Sequence, residues 1–180
     1  ATRRWIKENP SFPIVTFEDR DFEYTIHSRY DLAAYRMVQH LAALGHRRVA
    51  LLAGLPHPQA PHSRACLEQI LDRLAGLPRY ELQQGMREGF SRAVADFRLD
   101  VACWDREYAF RLENDADTMR EGVEYCEKLF ARTVRPTALV ISDARLAKAA
   151  LYTALKHGID VPRDLSIFTC GNEYETEQVY

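Results

Sequence analysis

Asp143 is the residue whose type and position best suit the binding of a small molecule. It follows an apolar stretch, residues 137–142, and precedes an alanine-rich stretch with helical spacing. Free backbone N–H groups at such a strand-to-helix junction favour a hydrogen-bond acceptor or an anion, often beside a ligand cleft. An aspartate at this junction can equally cap the helix. The sequence supports both roles for Asp143.

Two further side chains follow predicted strands and could face the same cleft. Trp104 ends the strand predicted over residues 101–104, and its ring could stack on a ligand or pack in the core. Asn172 comes shortly after the strand predicted over residues 165–170. It could reach the cleft or lie in a loop, and the sequence does not choose between these positions.

Catalysis and metal binding would need other patterns. The sequence has no G-x-S-x-G motif, no phosphate-binding glycine loop and no cluster with metal-ligand spacing. His57 and His62 are separated by prolines and lack the i,i+4 relation of a helical metal site. We therefore expect no enzyme activity, no catalytic residue, no metal and no cofactor.

The composition bounds the possible partners. The 180 residues are 47% hydrophobic and 28% charged, with a formal net charge of −2, so the chain can bury a core but has no basic stripe for nucleic acid. The four cysteines form no C-x-x-C motif, which favours a reduced, cytoplasmic protein over a disulfide framework. No apolar run approaches the roughly 20 residues that span a bilayer, so we expect no membrane association.

The elements that must position the candidate residues alternate along the chain. Apolar, β-branched runs predict strands at residues 13–17, 24–27, 49–53, 101–104, 137–142 and 165–170. Helical spacing predicts helices at residues 31–44, 67–74, 81–97, 117–132 and 144–157. Strands that alternate with helices predict an α/β fold with a parallel sheet in three layers.

The first long helix illustrates the expected local signals. Asp31 is a suitable N-cap, and Gly45 stands where a left-handed residue ends a helix. One helix face is expected to be buried, carrying Leu32, Tyr35, Val38, Leu41 and Ala42. In the same way, Asp117 or Thr118 is expected to cap the helix that runs to about residue 132, and Gly158 to end the helix before it.

Three stretches resemble the lactose/galactose repressor (LacI/GalR) family of transcriptional regulators, and they occur in the order of that family. They are LAALGHRRVALLAG at residues 41–54, RPTALVISDARLAKAALYTALKHGIDVPRDLSIFTCGN at residues 135–172, and Glu88-Gly89-Phe90, which fits the end of the family's RxxGF motif. The resemblance implies a periplasmic-binding-protein-like (type I) effector domain with two lobes and a ligand between them.

On this resemblance, residues 1–27 form part of an incomplete N-terminal lobe and residues 28–163 form the C-terminal lobe. Residues 164–180 carry a strand that returns to the N-terminal lobe. Arg29 and Tyr30 lie at the first crossover between the lobes, where side chains often face the ligand. The resemblance also implies a homodimer, a small-molecule effector such as a sugar, and DNA bound by a headpiece that this chain lacks. It places the alanine-rich face of residues 144–157 near the dimer interface, although that face could pack only against its own sheet.

The ligand-binding positions of the family carry over incompletely. The arginine of RxxGF falls on Met86, the asparagine of the family's aaND motif on Asp143 and its aspartate on Ala144. The two aspartates of the GfDd motif fall on Gly171 and Asn172. Since the usual sugar-binding arginine and aspartate are absent, the ligand is not a typical sugar, or other residues hold it, or sensing is lost. The candidate ligand-binding residues are Asp143, Asn172, Trp104, Met86, Arg29 and Tyr30.

Two other functions remain open at this point. A solute-binding protein of a transport system would have the same fold, and an interaction module without a ligand is a third possibility. Residues 55–85 are longer than the matching segment of the regulators, which predicts an added helix or flap near the mouth of the cleft.

Overall fold

A computed structural model describes residues 9, 14–17, 24–53, 78–103 and 115–170. Two short parallel strands come first, β1 (Thr16–Phe17) and β2 (Thr25–Ile26), with Thr16 opposite Thr25. The helix predicted at residues 67–74, most of the added segment at 55–85, and the candidate residues Trp104 and Asn172 lie outside the described residues.

The larger part of the described chain alternates helix and strand. In order, its elements are α1 (Tyr30–Ala43), β3 (Arg48–Leu52), α2 (Pro78–Asp96), β4 (Asp100–Cys103), α3 (Asp115–Phe130), β5 (Ala138–Ile141), α4 (Ala144–Lys156) and β6 (Ser166–Thr169).

The strands β3 to β6 form one sheet in the order β4-β3-β5-β6, and every neighbouring pair is parallel. All four strands therefore begin at one side of the sheet, here called the amino edge, and end at the opposite side, the carboxyl edge. In the register, Val49 lies opposite Ala138 and Ala138 opposite Ser166. The predicted parallel sheet is confirmed.

Side chains of the central strands alternate between two hydrophobic clusters, as the two-residue period of a strand requires. Val49 and Leu51 of β3 pack with α1 and α2, through Val38, Leu41 and Phe90 among others. Leu139 and Ile141 of β5 point to the other face and pack with α3 and α4. Because helices cover both faces, β3 is buried from Val49 to Leu52 and β5 along its whole length, and the predicted three layers are confirmed.

Glycines end two of the helices as the sequence predicts. Gly45 follows α1 with a φ of +93°, and Gly158 follows α4 with a φ of +66°. Only glycine adopts such left-handed backbone without a steric penalty. After Gly45, the N–H of His46 donates to the carbonyl of Leu41 at 3.0 Å, so the turn directs the chain at once into β3.

The helix starts differ from the prediction. α1 begins at Tyr30 with Arg29 as its N-cap, which makes no side-chain cap, and Asp31 lies inside the first turn. The expectation that Asp31 caps this helix is therefore wrong, because its carboxylate is paired with Arg29. Leu32, expected to be inward, is 42% exposed. α3 begins at Asp115, before the residues expected to cap it.

The last described strand lies at an edge of the larger sheet. β6 pairs with β5 from Ser166 to Thr169. Residues 171–180 lie outside the described residues, and the lobe boundaries stay a prediction.

The alanine-rich face of α4 packs inside this unit. Ala149, Ala150 and Ala154 are fully buried, and a Cβ atom placed on Gly122 of α3 would lie 2.8 Å from the Cβ of Ala149. The face expected near a dimer interface therefore contacts α3 and the sheet instead. The exposed apolar side chains of α4 are Tyr152 and Leu155.

His46 joins three strands at the amino edge. Its Nδ1 lies 2.9 Å from Oγ1 of Thr137, just before β5, and its Nε2 lies 3.0 Å from Oγ of Ser166 in β6. The Thr137 hydroxyl also donates to the carbonyl of Arg48 at 3.3 Å, which fits a neutral ring with the proton on Nδ1. Burial lowers the pKa of His46 below its ordinary value.

In the part of the chain that the structure describes, no helix combines the length and the apolar character needed to cross a membrane.

Candidate functional site

The path of the chain singles out the carboxyl edge between β3 and β5. From β3 the chain passes through α2 to β4 on one side, whereas from β5 it passes through α4 to β6 on the other side. The two connections therefore diverge above the neighbouring ends of β3 and β5. In open parallel sheets, ligands bind at such a topological switch point, outside the carboxyl ends of the strands.

A buried polar contact occupies this point. The hydroxyl of Ser142 lies 2.5 Å from Oε1 of Gln83, and both residues are only 3% exposed. The backbone N–H of Ser142 donates to the carbonyl of Leu52 at 3.0 Å, which holds it beside the end of β3. Gln83 was not predicted, because a glutamine within a helical stretch has no distinctive spacing and its partner is 59 residues away.

Asp143 is the N-cap of α4. Its Oδ1 accepts hydrogen bonds from the backbone N–H and from Nε of Arg145, both at 2.9 Å, and its Oδ2 accepts from Nη2 of Arg145 at 2.7 Å. Burial alone would raise the pKa of Asp143, but the hydrogen bonds and charge of Arg145 outweigh it and hold that pKa below the ordinary value. The structure thus shows the capping role, and contact with a ligand stays a prediction.

A cavity of about 440 Å³ opens next to the start of α1. One wall is the segment that joins β2 to α1, and the other is the exposed side of α2. The lining residues are Thr25, His27, Ser28, Tyr30, Asp31, Gln84, Gly85 and Glu88. The short sequence distance from Ala43 to Arg48 fixes the other end of α1 at the amino edge, so this cavity lies at the carboxyl edge.

Glycines allow α1 and α2 to meet at the back of this cavity. A Cβ atom on Gly85 would lie 2.9 Å from the Cβ of Tyr30, and one on Gly89 would overlap the backbone carbonyl of Asp31. Small residues at these two positions, one helical turn apart, bring the start of α1 directly onto α2. The end of the segment that joins β2 to α1 is thereby held against the helix that carries Gln83 and Gln84.

The cavity is polar, and most of its charges are paired. Asp31 accepts two hydrogen bonds from Arg29, at 2.8 and 2.9 Å, and lies 3.8 Å from Arg92. The hydrogen bonds from Arg29 lower the pKa of Asp31 to about 2, against the opposing effect of desolvation. Glu88 accepts a hydrogen bond from Gln84 at 2.9 Å. This wall offers hydroxyls, amides and carboxylates, which are the partners of a hydroxylated ligand.

The structure separates the predicted site residues. Tyr30 lines the cavity, and Arg29 is next to it through its pair with Asp31. Asp143 lies apart from them on the carboxyl edge, beside the switch point between β3 and β5. Met86 is 0% exposed, with its Sδ 3.8 Å from Sγ of Cys170, so it packs in the core and does not line the cavity.

Two further observations concern binding groups. Thr169, at the carboxyl end of β6, has a buried hydroxyl oxygen without a hydrogen-bond partner among the described residues. Over the same ranges, no three histidine, cysteine or acidic side chains are grouped closely enough to hold a metal ion.

The profile of the periplasmic binding protein-like domain matches residues 38–180. The chain belongs to this family. The matched range contains the whole four-stranded sheet and most of the helices around it. Arg29 and Tyr30 precede the matched range.

Relatives of this periplasmic binding protein-like domain include transcriptional regulators. Catabolite control protein A of Priestia megaterium is 25% identical over 143 residues, which are 79% of this chain and 35% of the relative. A LacI-family regulator of Mycobacterium smegmatis is similar in structure, with a TM-score of 0.61, 22% identity, and coverage of 99% of this chain and 56% of the other. One from Clostridium acetobutylicum has a TM-score of 0.63 at 16% identity, covering 93% and 53%.

The resemblance to LacI/GalR effector domains is thus confirmed for the fold. This periplasmic binding protein-like domain spans about a third of the curated relative and about half of the solved structures.

Proposed function

We propose that this domain is the small-molecule-sensing part of a LacI/GalR-like transcriptional regulator. The observation that carries the proposal is the open, polar cavity at the carboxyl edge of a parallel sheet in a periplasmic binding protein-like domain. The named relatives, a catabolite control protein and LacI-family regulators, support a role in regulation. The proposed setting is the cytoplasm, and the proposed activity is binding without catalysis.

The proposed ligand is a sugar or a related hydroxylated metabolite, bound between this unit and a first lobe that includes β1 and β2. Tyr30 and Arg29 would contact it from the crossover, and Asp143 and Ser142 from the switch point. Trp104 and Asn172 remain proposed contacts outside the described residues. Since Asp143 is already paired with Arg145, we expect it to bind ligand only through a lone pair that the cap leaves free.

In the proposed mechanism, ligand favours one orientation of the two lobes. A homodimer would convert that orientation into a changed spacing of two DNA-binding headpieces, and so into changed affinity for an operator. The ligand can shift this equilibrium only by the difference between its affinities for the two states.

The test is a thermal-shift screen of the complete protein against sugars, sugar acids and nucleosides, followed by calorimetric titration of any hit. Tyr30→Ala should weaken binding of the hit by roughly tenfold, since it removes an aromatic wall of the cavity. Tyr152→Ala is the matched control, because Tyr152 is an exposed tyrosine on α4 and should leave affinity unchanged. Equal affinities of the two variants would contradict the proposed site.

The alternative function is that of an exported solute-binding protein of a transport system. The two functions differ in what is encoded before this domain: a helix-turn-helix of about 50–60 residues for the regulator, or a signal peptide for the transport protein. A signal peptide would overturn the proposal. Failure of every compound to raise the melting temperature would favour an interaction module instead.

A further inference from the structure

A second cavity lies at the amino edge of the sheet, on the opposite side from the proposed ligand cleft. Its volume is about 210 Å³, far more than the roughly 10–15 Å³ that one water molecule needs. The loop between α3 and β5 forms one wall, the start of β3 a second, and the turn before β6 a third. The residues on which the inference depends are Arg48, Arg135, Thr133, Asp164, Phe130 and Leu165.

Two arginines give this cavity its charge. Arg48 is the first residue of β3, and its carbonyl accepts a hydrogen bond from the N–H of Thr137 at 3.0 Å. That contact places Arg48 beside the end of the loop that carries Arg135. Both side chains are exposed, and within the described part of the chain neither guanidinium has a hydrogen-bond or ion-pair partner. Ten N–H donors of two guanidinium groups are thus available beside one cavity.

The wall behind these arginines is apolar. Phe130, Ile159 and Leu165 line the cavity although they are only 4%, 6% and 1% exposed, so each presents an edge of its side chain to the space. A free inorganic ion would gain no binding free energy from contact with such a wall. A ligand with a hydrocarbon portion would gain binding free energy, because it would cover this apolar surface.

One acidic residue lines the same cavity as the arginines. Asp164 lines the cavity, and its Oδ2 accepts a hydrogen bond from the backbone N–H of Asp160 at 3.0 Å, within the turn before β6. Two positive charges and one negative charge leave the lining positive. The hydroxyl of Thr133 adds a neutral donor at the rim.

We propose that this cavity, here called the amino-edge site, binds a small organic anion: a carboxylate or phosphate carried on a short apolar group. The guanidinium groups of Arg48 and Arg135 would hold the oxyanion, since the arginine fork matches both groups in geometry. The apolar group would lie against Phe130 and Leu165. Because the amino-edge site is at the far side of the sheet from the cleft, its occupancy does not depend on the proposed effector site.

The experiment titrates the complete protein with phenyl phosphate, benzoate and inorganic phosphate at constant ionic strength, followed by calorimetry. Phenyl phosphate or benzoate should bind at least about tenfold more tightly than inorganic phosphate, because only the organic anions cover the apolar wall. Which of the two binds better identifies the preferred oxyanion. If inorganic phosphate bound as tightly as both organic anions, the apolar wall would not contribute to binding, and that part of the proposal would be overturned.

The variants test the arginines. The double variant Arg48→Gln with Arg135→Gln should lose at least about tenfold in affinity, since two charge-assisted contacts disappear. Arg48→Lys should retain part of the affinity, because it keeps the charge but not the fork. Arg120→Gln, an exposed arginine of α3 away from this site, is the matched control and should bind as the wild type does.

Two further outcomes would overturn the proposal. One is the absence of any binding to the wild-type protein at millimolar probe, and the other is unchanged affinity in the double variant. Far-UV circular dichroism and melting temperature establish that the double variant is folded, and Arg48→Lys provides the test if it is not. Tyr30→Ala should leave the affinity of the amino-edge site unchanged. A loss of binding at this site is therefore distinguishable from a loss of binding at the proposed effector site.

Discussion

At the scale of single residues, the structure separates contacts that a sequence can predict from those it cannot. The cap by Asp143 is local, since its partner is two residues away, and a strand followed by aspartate and an alanine-rich helix predicts it. The contacts of Ser142 with Gln83 and of His46 with Ser166 join residues 59 and 120 positions apart. Nothing in the spacing of these residues identifies the partners, because the fold alone brings them together.

Removing the cap should destabilise the domain. Asp143→Ala deletes the acceptor of the Arg145 N–H and leaves the mostly buried Arg145 side chain without its carboxylate, so the free energy of unfolding should fall by at least about 1–2 kcal/mol. Urea unfolding measures the loss. Asp143→Asn keeps a capping oxygen and should lose less.

The same pair of variants tests the predicted ligand contact. If Asp143→Ala changes stability and leaves the affinity for an effector unaltered, then Asp143 only caps the helix. A loss of affinity in both variants, at matched stability, would support the contact.

The stability of the domain should depend on the protonation of His46. Burial lowers the pKa of His46 in the folded state, whereas in the unfolded chain it is about 6.5. Below about pH 6.5 the unfolded chain therefore binds more protons at this ring than the folded protein does. This contribution to stability is fully present above pH 6.5 and is lost as the pH falls from 6.5 toward the folded-state pKa.

The comparison of wild type with His46→Gln isolates this effect, because all other histidines are common to both. Thr137 and Ser166 are the groups facing the ring, and both are uncharged. We expect the difference in unfolding free energy between the two proteins to be constant above pH 7 and to shift against the wild type below pH 6.5. If this difference in unfolding free energy did not change between pH 5 and 7.5, the inference that His46 is buried as a neutral ring would be refuted.

At the scale of elements, strands were easier to predict than helix starts. The buried strands β3 and β5 are short continuous apolar runs, which are typical of a sheet covered on both faces. The ends of α1 and α4 are marked by Gly45 and Gly158. The starts of α1 and α3 were misplaced, because several polar residues near each start could serve as a cap and the sequence does not rank them.

The contact between α1 and α2 depends on a residue without a side chain. Gly89→Ala would place a methyl group on the backbone carbonyl of Asp31, which cannot move aside as a side chain could. We expect a loss of about 1–3 kcal/mol or more in unfolding free energy, together with a change in the cavity lined by Tyr30. Chemical denaturation provides the measurement.

Two other positions provide the comparison. Gly122→Ala would place its Cβ 2.8 Å from the Cβ of Ala149 and 3.1 Å from Cδ2 of Leu146, which is a milder overlap than the one at the carbonyl of Asp31, so its loss should be smaller than that of Gly89→Ala. Ala95→Ser adds an atom at an exposed position of α2 and should change stability by only a few tenths of a kcal/mol. A larger loss of unfolding free energy in Gly122→Ala than in Gly89→Ala would contradict the close contact of Gly89 with the backbone of Asp31.

At the scale of the whole described unit, β5 connects both helical layers. Leu139 and Ile141 reach the cluster with α3 and α4, while Ala138 and Val140 reach the cluster with α1 and α2. Neither layer can separate without uncovering the central strands. The overall fold followed from the alternation of strands and helices, whereas the strand order β4-β3-β5-β6 did not, since the sequence contains no sign of which strands are neighbours.

Truncation of a central side chain should therefore weaken the unit as a whole. Leu139→Ala removes a fully buried side chain and should lower the unfolding free energy by about 2–5 kcal/mol. Far-UV and near-UV circular dichroism should report the same urea midpoint in the variant. Two separate midpoints would show that the layers unfold independently. Leu155→Ala, on the exposed face of α4, is the control and should have little effect.

Tyr30 begins α1 and Cys170 follows β6, and both residues lie at the carboxyl edge of the sheet. On the proposed division into lobes, a rotation of this unit relative to the first lobe would change backbone torsions close to these two residues. The hydrogen bonds among β3, β4, β5 and β6 would stay intact. Such a rotation should cost little free energy, so the proposed ligand at this edge needs only a modest difference in affinity between the two orientations to drive it.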